Sequence, residues 1–178
     1  MPLTLLIGGA RSGKSALAVD IGHRYHAAGT AVTYIATAPR VDADMDARIE
    51  RHIGERPASW ATVEEEVDLI SALASVDDGL AIIDCLTLWT SNLMWRDLDD
   101  DEIRRRATAA ALAASERTDP TVAITNEVGL GVHPETDLGR HYRDLLGWVN
   151  QAWAEVADPA LLLVAGRAVR LDDPWSHL

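Results

Sequence analysis

The chain has 178 residues, 48% hydrophobic and 25% charged, the mix of an ordinary globular protein, so a single domain over residues 1–178 is expected. Lys and Arg number 16 against 28 Asp and Glu, and the net charge of −12 opposes broad binding to nucleic acid or to an anionic bilayer. One cysteine, Cys85, excludes an internal disulfide or cysteine metal cluster, no apolar run approaches the roughly 20 residues that span a membrane, and Met1-Pro2-Leu3-Thr4 lacks the basic opening of a signal peptide, so a cytoplasmic location without membrane insertion is expected.

Leu3 to Ile7 reads as a buried strand, Gly8-Gly9 as a turn and Ser15 to Tyr25 as a helix; Ala31 to Ala36 is a second strand rich in β-branched and aromatic residues. Asp42 to Glu55 has the pattern of a charged helix closed by Gly54 and Pro57. Thr62-Val63-Glu64-Glu65 resembles a capped helix start running to Ala74, and the turn Asp77-Asp78-Gly79 leads into the strand Leu80 to Ile83. Thr87 to Trp95 and an Ala-rich stretch to Glu116 are expected helices. The acidic run Asp97 to Glu102 before the second suits a helix N-terminus better than a metal site. Thr121 to Thr125 is a further strand. From Pro134 onward Leu138, Tyr142, Leu145, Leu146, Val149, Trp153 and Val156 keep helical spacing, and Ala160 to Ala165 is the last clear strand, with a short one at Ala168 to Leu171. Five or six strands alternating with helices imply an α/β fold, a mostly parallel sheet with helices on both faces.

Gly8-Gly9-Ala10-Arg11-Ser12-Gly13-Lys14-Ser15 fits G-x-x-x-x-G-K-[ST] and lies between a strand and a helix, the context that a phosphate-binding loop requires. Its glycines let successive N–H groups turn toward a polyphosphate, where the helix dipole adds attraction. Lys14 would reach the β and γ phosphates, and Ser15 would offer its hydroxyl to Mg²⁺. Lys14 is also the only lysine among the 16 basic residues, which points to chemistry that arginine does not supply. Asp84 closes the strand Ile82-Ile83 and is a second candidate Mg²⁺ ligand, although an aspartate after two apolar residues is also common at strand ends.

Several blocks carry a resemblance over nearly the whole chain. They are the loop Gly8 to Ser15; Tyr34-Ile35-Ala36-Thr37-Ala38; Met45 and Arg48-Ile49 to His52, with Arg56-Pro57 and Trp60; Asp84-Cys85-Leu86-Thr87-Leu88-Trp89; Thr125-Asn126-Glu127-Val128-Gly129; and Arg140-His141-Tyr142-Arg143-Asp144 with Asn150-Gln151. In these the chain resembles the bifunctional adenosylcobinamide kinase and adenosylcobinamide-phosphate guanylyltransferase family of cobalamin synthesis. The resemblance implies a P-loop NTPase fold of the RecA type, a homotrimer, ATP and GTP as substrates, and a corrinoid as the other substrate. It implies two reactions: phosphorylation of the aminopropanol hydroxyl of adenosylcobinamide, then GMP transfer onto that phosphate through a guanylylated histidine at the position of His52. The chain departs from the family's usual small apolar residue at His133, before Pro134.

A neutral imidazole can attack an α-phosphate and form a phosphoramidate labile enough to pass GMP on. Arg48 and Arg56 lie four residues to either side of His52, on one face if the helix continues, where they would disfavour imidazolium and bind the triphosphate. Glu127 is a candidate to orient Mg²⁺ or the hydroxyl acceptor, or it is a polar turn after a strand. Arg140 and Arg143 are candidate phosphate clamps, though Arg140 could instead pair with Asp144. Trp60, Trp89, Trp95, Trp148 and Trp153 are expected in core or subunit contacts in a chain without phenylalanine, unless the corrinoid uses one; Cys85 is expected to pack. Two other readings remain open: a P-loop kinase for another small hydroxyl substrate, and a RecA-like nucleotide-dependent switch.

Overall fold

A computed structural model describes residues 3–39, 54 and 56–178. The expected helix 42–55 therefore falls almost wholly outside the described residues, as do His52 and Arg48. In chain order the elements are β1 (Leu3–Gly8), α1 (Lys14–Ala27), β2 (Val32–Ala36), β3 (Ala61–Glu64), α2 (Leu69–Ala74), β4 (Leu80–Asp84), α3 (Leu86–Trp95), α4 (Asp100–Ser115), β5 (Thr121–Asn126), α5 (Asp137–Val156), β6 (Ala160–Val164) and β7 (Arg167–Leu171), then a 3₁₀ turn at Pro174–His177.

One seven-stranded sheet runs in the order β3-β2-β4-β5-β1-β6-β7. Its first six strands are parallel, and β7 returns antiparallel to β6. Parallel pairing needs a crossover over one face for every strand, so both faces become covered and the central strands lose all contact with water. β1 shows this, being buried at every residue from Leu3 to Gly8. Leu3 and Leu5 face a cluster with Trp89, Leu145, Val149 and Trp153, while Leu6 faces the opposite cluster with Ala18, Tyr34, Trp60 and Ile124. The side-chain period of two thus divides one apolar run between two cores.

The stretch expected to begin a helix at Thr62 is instead β3, a short edge strand paired with β2 from Thr33–Ala61 to Ala36–Glu64. Its β-branched Thr62 and Val63 suit a pleated edge, and the helix start is displaced to Asp68, whose carboxylate accepts from Ser71 N–H at 3.0 Å. Glu65 does cap, but it caps the turn: its carboxylate accepts from Val67 N–H at 2.7 Å and Asp68 N–H at 2.9 Å. The acidic run behaves as expected. Asp99 caps α4 through Glu102 N–H at 2.8 Å, and Asp100, Asp101 and Glu102 occupy its first turn.

The long stripe on α5 buries Leu145, Leu146, Val149 and Trp153, but its expected first member, Leu138, is 66% exposed. Trp60, Trp89 and Trp153 are in the core as expected; Trp95 and Trp148 are not, the latter lying under the Arg104 guanidinium at 4.4 Å. Replacing Trp153, which has no exposed surface, by Ala should cost about 3–5 kcal/mol and lower the melting temperature by roughly 6–20 °C, measurable by calorimetry.

Candidate active site

Because β2, β4, β5 and β1 are parallel, their C-terminal ends meet at one edge of the sheet. The register pairs Gly8 with Asn126, Asp84 with Ile124, and Ala36 with Asp84. Sequence-distant residues are thereby brought together: the loop 8–15 after β1, Thr37 after β2, Asp84-Cys85 at the end of β4 and Asn126-Glu127 at the end of β5. Open parallel sheets gather ligands at this edge.

The loop is built around Lys14. Its ammonium donates to Gly8 O at 2.9 Å, Gly9 O at 2.7 Å and Ser12 Oγ at 3.4 Å, which uses all three of its donors. The side chain is buried, and burial pulls its pKa below the ordinary 10.5, partly offset by Cys85 and by the Asp84 carboxylate nearby. Gly13 precedes α1 at φ 104°, a conformation that glycine adopts without steric cost. Gly8 is required for space: a Cβ there would lie 2.3 Å from Leu163 O and 2.9 Å from Ser12 Oγ. The same loop is held from outside, since Gly166, in the β6–β7 turn, donates its N–H to Ser12 O at 2.9 Å, and Glu127 N–H donates to Gly8 O at 3.0 Å. Ala10 and Arg11 are exposed, and Arg11 sits at φ 56°.

Asp84 accepts the Tyr34 hydroxyl at 2.5 Å. Burial, reinforced by the Asp84 charge and this hydrogen bond, raises the Tyr34 pKa strongly, so the phenol stays a donor. Over the Tyr34 ring, 3.8 Å from its centroid, lies the Arg56 guanidinium. Thr37 clamps the next residue from both sides: its hydroxyl donates to Cys85 O at 2.7 Å and accepts from Cys85 N–H at 2.7 Å. The Cys85 thiol is pushed up to about 12 by burial and the Asp84 charge, which keeps it protonated and agrees with its expected packing role. Glu127 turns its carboxylate onto its own loop, accepting from Gly129 N–H at 2.5 Å. That contact is the polar-turn geometry, and it leaves the residue beside Gly8 at the shared edge.

Arg140 and Arg143 are not assembled as a phosphate clamp. Arg140 bonds Pro134 O at 2.9 Å, Glu135 O at 2.8 Å and the Asp137 carboxylate, closing the entry to α5; its expected partner Asp144 is taken by Arg143. Arg143 also meets His133 Nδ1 at 2.8 Å. Three contributors escaped sequence reading. Tyr34 and Thr37 lie in a quoted block without an assigned role, and the Gly166 contact depends on a hairpin whose position only the sheet order supplies.

Among the described residues, no group of three His, Cys, Asp or Glu is placed to hold a metal ion. Ser15 and Asp84 offer one hydroxyl and one carboxylate, an all-oxygen set that fits a Mg²⁺ ion completed by phosphate oxygens and water. No helix among the described residues is long and apolar enough to cross a membrane.

The sequence profile of the family described as "Cobinamide kinase / cobinamide phosphate guanyltransferase" matches residues 4–171. The bifunctional adenosylcobalamin biosynthesis protein CobP of Pseudomonas aeruginosa is 40% identical over 164 residues, covering 91% of this chain and 92% of the relative. The corresponding protein CobU of Salmonella typhimurium is 38% identical over 191 residues, covering 95% and 99%. Among solved structures, the flagellar accessory protein FlaH of Methanocaldococcus jannaschii matches with a TM-score of 0.53 at 12% identity, covering 96% of this chain and 77% of that one, a likeness that supports the P-loop NTPase fold alone. Gly8→Ala should weaken nucleoside triphosphate binding by about tenfold or more while the protein remains folded, since the added methyl displaces the loop from Leu163 O; equilibrium titration with ATP and circular dichroism check both halves.

Proposed function

The chain belongs to the cobinamide kinase / cobinamide phosphate guanyltransferase family, and from that premise we propose that it phosphorylates the aminopropanol hydroxyl of adenosylcobinamide with ATP or GTP and then transfers GMP from GTP onto the product. The observation that carries the reading is the loop itself: a lysine held by Gly8 O and Gly9 O at the N-terminus of α1, on the edge where Asp84 ends β4 and Glu127 follows β5.

In the first reaction the substrate hydroxyl oxygen bonds to the γ-phosphorus, the bond to the nucleoside diphosphate oxygen breaks, and the hydroxyl proton passes to a base for which Glu127 is our candidate. The backbone amides of Gly9 to Lys14 and the Lys14 ammonium hold the phosphates; a phosphate oxygen, as a charged acceptor, outcompetes a carbonyl for one Lys14 donor. Ser15 and Asp84 are the residues we assign to Mg²⁺, which when bound would neutralise charge developing on the phosphate oxygens. In the second reaction a nitrogen of His52 attacks the α-phosphorus of GTP and pyrophosphate leaves. The phosphate oxygen of the corrinoid then displaces His52, breaking the N–P bond and forming the P–O–P bond of the GDP ester.

His52 and Arg48 lie outside the described residues, and their roles rest on the quoted sequence block. Arg56 adds support, because it stands four positions after His52 in the quoted block and lies over Tyr34, the donor to Asp84. The same reading includes a single catalytic unit over residues 1–178, a homotrimer and a cytoplasmic location. His52→Ala should abolish covalent labelling by α-labelled GTP and all GMP transfer while phosphorylation of cobinamide stays within a few fold of the unmodified protein. Equal loss of both activities in a folded variant would refute separate roles for His52 and the loop.

A further inference from the structure

The end of α3 and the start of α5 border an open hollow of about 730 Å³ that none of the candidate catalytic residues lines. Its walls are apolar at Met94, Trp95, Leu98, Leu138 and Tyr142. Two of these side chains are largely open to water, Trp95 at 81% and Leu138 at 66% exposure, and both line the same hollow. Hydrophobic side chains grouped around a hollow and open to water are the pattern of a ligand site.

The hollow is connected to the phosphate loop. Tyr142, in its wall, donates its hydroxyl to Thr87 O at 3.1 Å; the Thr87 hydroxyl accepts from Asn126 N–H at 2.8 Å; and Asn126 is the sheet partner of Gly8. One strand end therefore stands between the cavity wall and the loop, and the next residue, Glu127, donates its N–H to Gly8 O at 3.0 Å. The lining also discriminates by charge. Asp97 is acidic, and the one basic group, His141, is bonded to Asp100 at 2.7 Å, so the cavity has no cation to offer a phosphate. A second nucleotide does not fit this chemistry, whereas a ligand without phosphates, with an apolar face and an amide periphery, does.

We propose that this cavity seats the macrocycle of the corrinoid, with its flat apolar face against the Trp95 indole and the Leu138 side chain, and peripheral carboxamides at Thr136 and Asp97. The assignment rests on the cobinamide reading above and locates its second substrate. Seated there, the macrocycle sends its aminopropanol arm across the end of β5 toward Lys14 and Glu127. The indole and the Leu138 side chain thus supply binding that is uniform between ground state and transition state, and their removal acts on KM for the corrinoid and leaves the turnover rate intact.

Trp95→Ala and Leu138→Asp test this, both at exposed positions whose replacement leaves the core unchanged. Kinase activity is measured with dicyanocobinamide varied at saturating ATP, beside the KM for ATP, labelling by α-labelled GTP, and sedimentation velocity. Each variant should raise the corrinoid KM by about tenfold or more, the change expected from losing a buried apolar contact. The rate at saturation, the KM for ATP, and GTP labelling should remain within about twofold. An unchanged corrinoid KM in both variants, with the unmodified protein active on cobinamide, overturns the assignment and leaves the function standing. A changed sedimentation profile in either variant overturns it in favour of an interface between copies of the chain, and failure of the unmodified protein to phosphorylate cobinamide overturns the functional reading and the assignment together.

Discussion

Parallel pairing of β1 with β5, and of β5 with β4, is the constraint from which the candidate site follows. Strands that run the same way end at the same edge, so residues separated by dozens of positions, Gly8, Asp84 and Asn126, arrive there together without any long loop having to fold back. Each chain then turns off the sheet at its own angle. β1 does so through glycine, because Leu163 O occupies the space where a side chain would stand and Glu127 N–H ties Gly8 O into the next strand. The phosphate loop is consequently held from beneath by β5, from the side by the β6–β7 turn, and from within by Lys14.

Under that edge lies a polar network, in contrast to the apolar clusters on either side of the sheet. Thr125 donates to Asn150 Oδ1 at 2.7 Å, Asn150 donates to Asn126 O at 3.0 Å, and Asn92 donates to Thr37 O at 2.8 Å and Glu66 O at 3.1 Å. Buried polar groups are costly unless paired, and once paired they fix position more sharply than apolar contacts, which tolerate sliding. The network places its pairs where the strands release their last residues. It therefore orients the backbone from which the candidate catalytic groups project, and it ties α5 to the end of β5 next to the loop and α3 to the segments that follow β2 and β3.

The charge distribution separates structural from functional cations. Most arginines with partners among the described residues serve the scaffold: Arg117 donates to Leu73 O, Val76 O and Gly79 O and so ties the turns before β4, Arg105 and Arg106 share Glu102 on α4, and Arg96 meets Glu66. Planar guanidinium groups suit such multiple contacts. The lone lysine is used differently, as a compact charge shared by two backbone carbonyls and the Ser12 hydroxyl, where its three donors can be re-aimed as the acceptors change.

Local pattern was enough to identify most of the helices, the buried strands, the loop Gly8 to Ser15 and the acidic cap of α4, because each depends on a repeat of two or 3.6 residues or on the special backbone freedom of glycine. Pattern failed where an outcome depends on a neighbour distant in sequence. Thr62 to Glu64 became a strand because β2 offered an unpaired edge; Trp95 and Leu138 stayed exposed because nothing in their own helices says what faces them; and Arg140 closed its own helix entry because Pro134 O and Glu135 O lie within its reach. The sequence by itself determined the presence of a phosphate loop and the family, since both are written in contiguous blocks of residues. Only the tertiary structure decided which groups join that loop, Tyr34 on Asp84, Thr37 on Cys85, Gly166 on Ser12 and the cavity behind Tyr142, because those contacts are made by the order and register of the strands, which no single segment encodes.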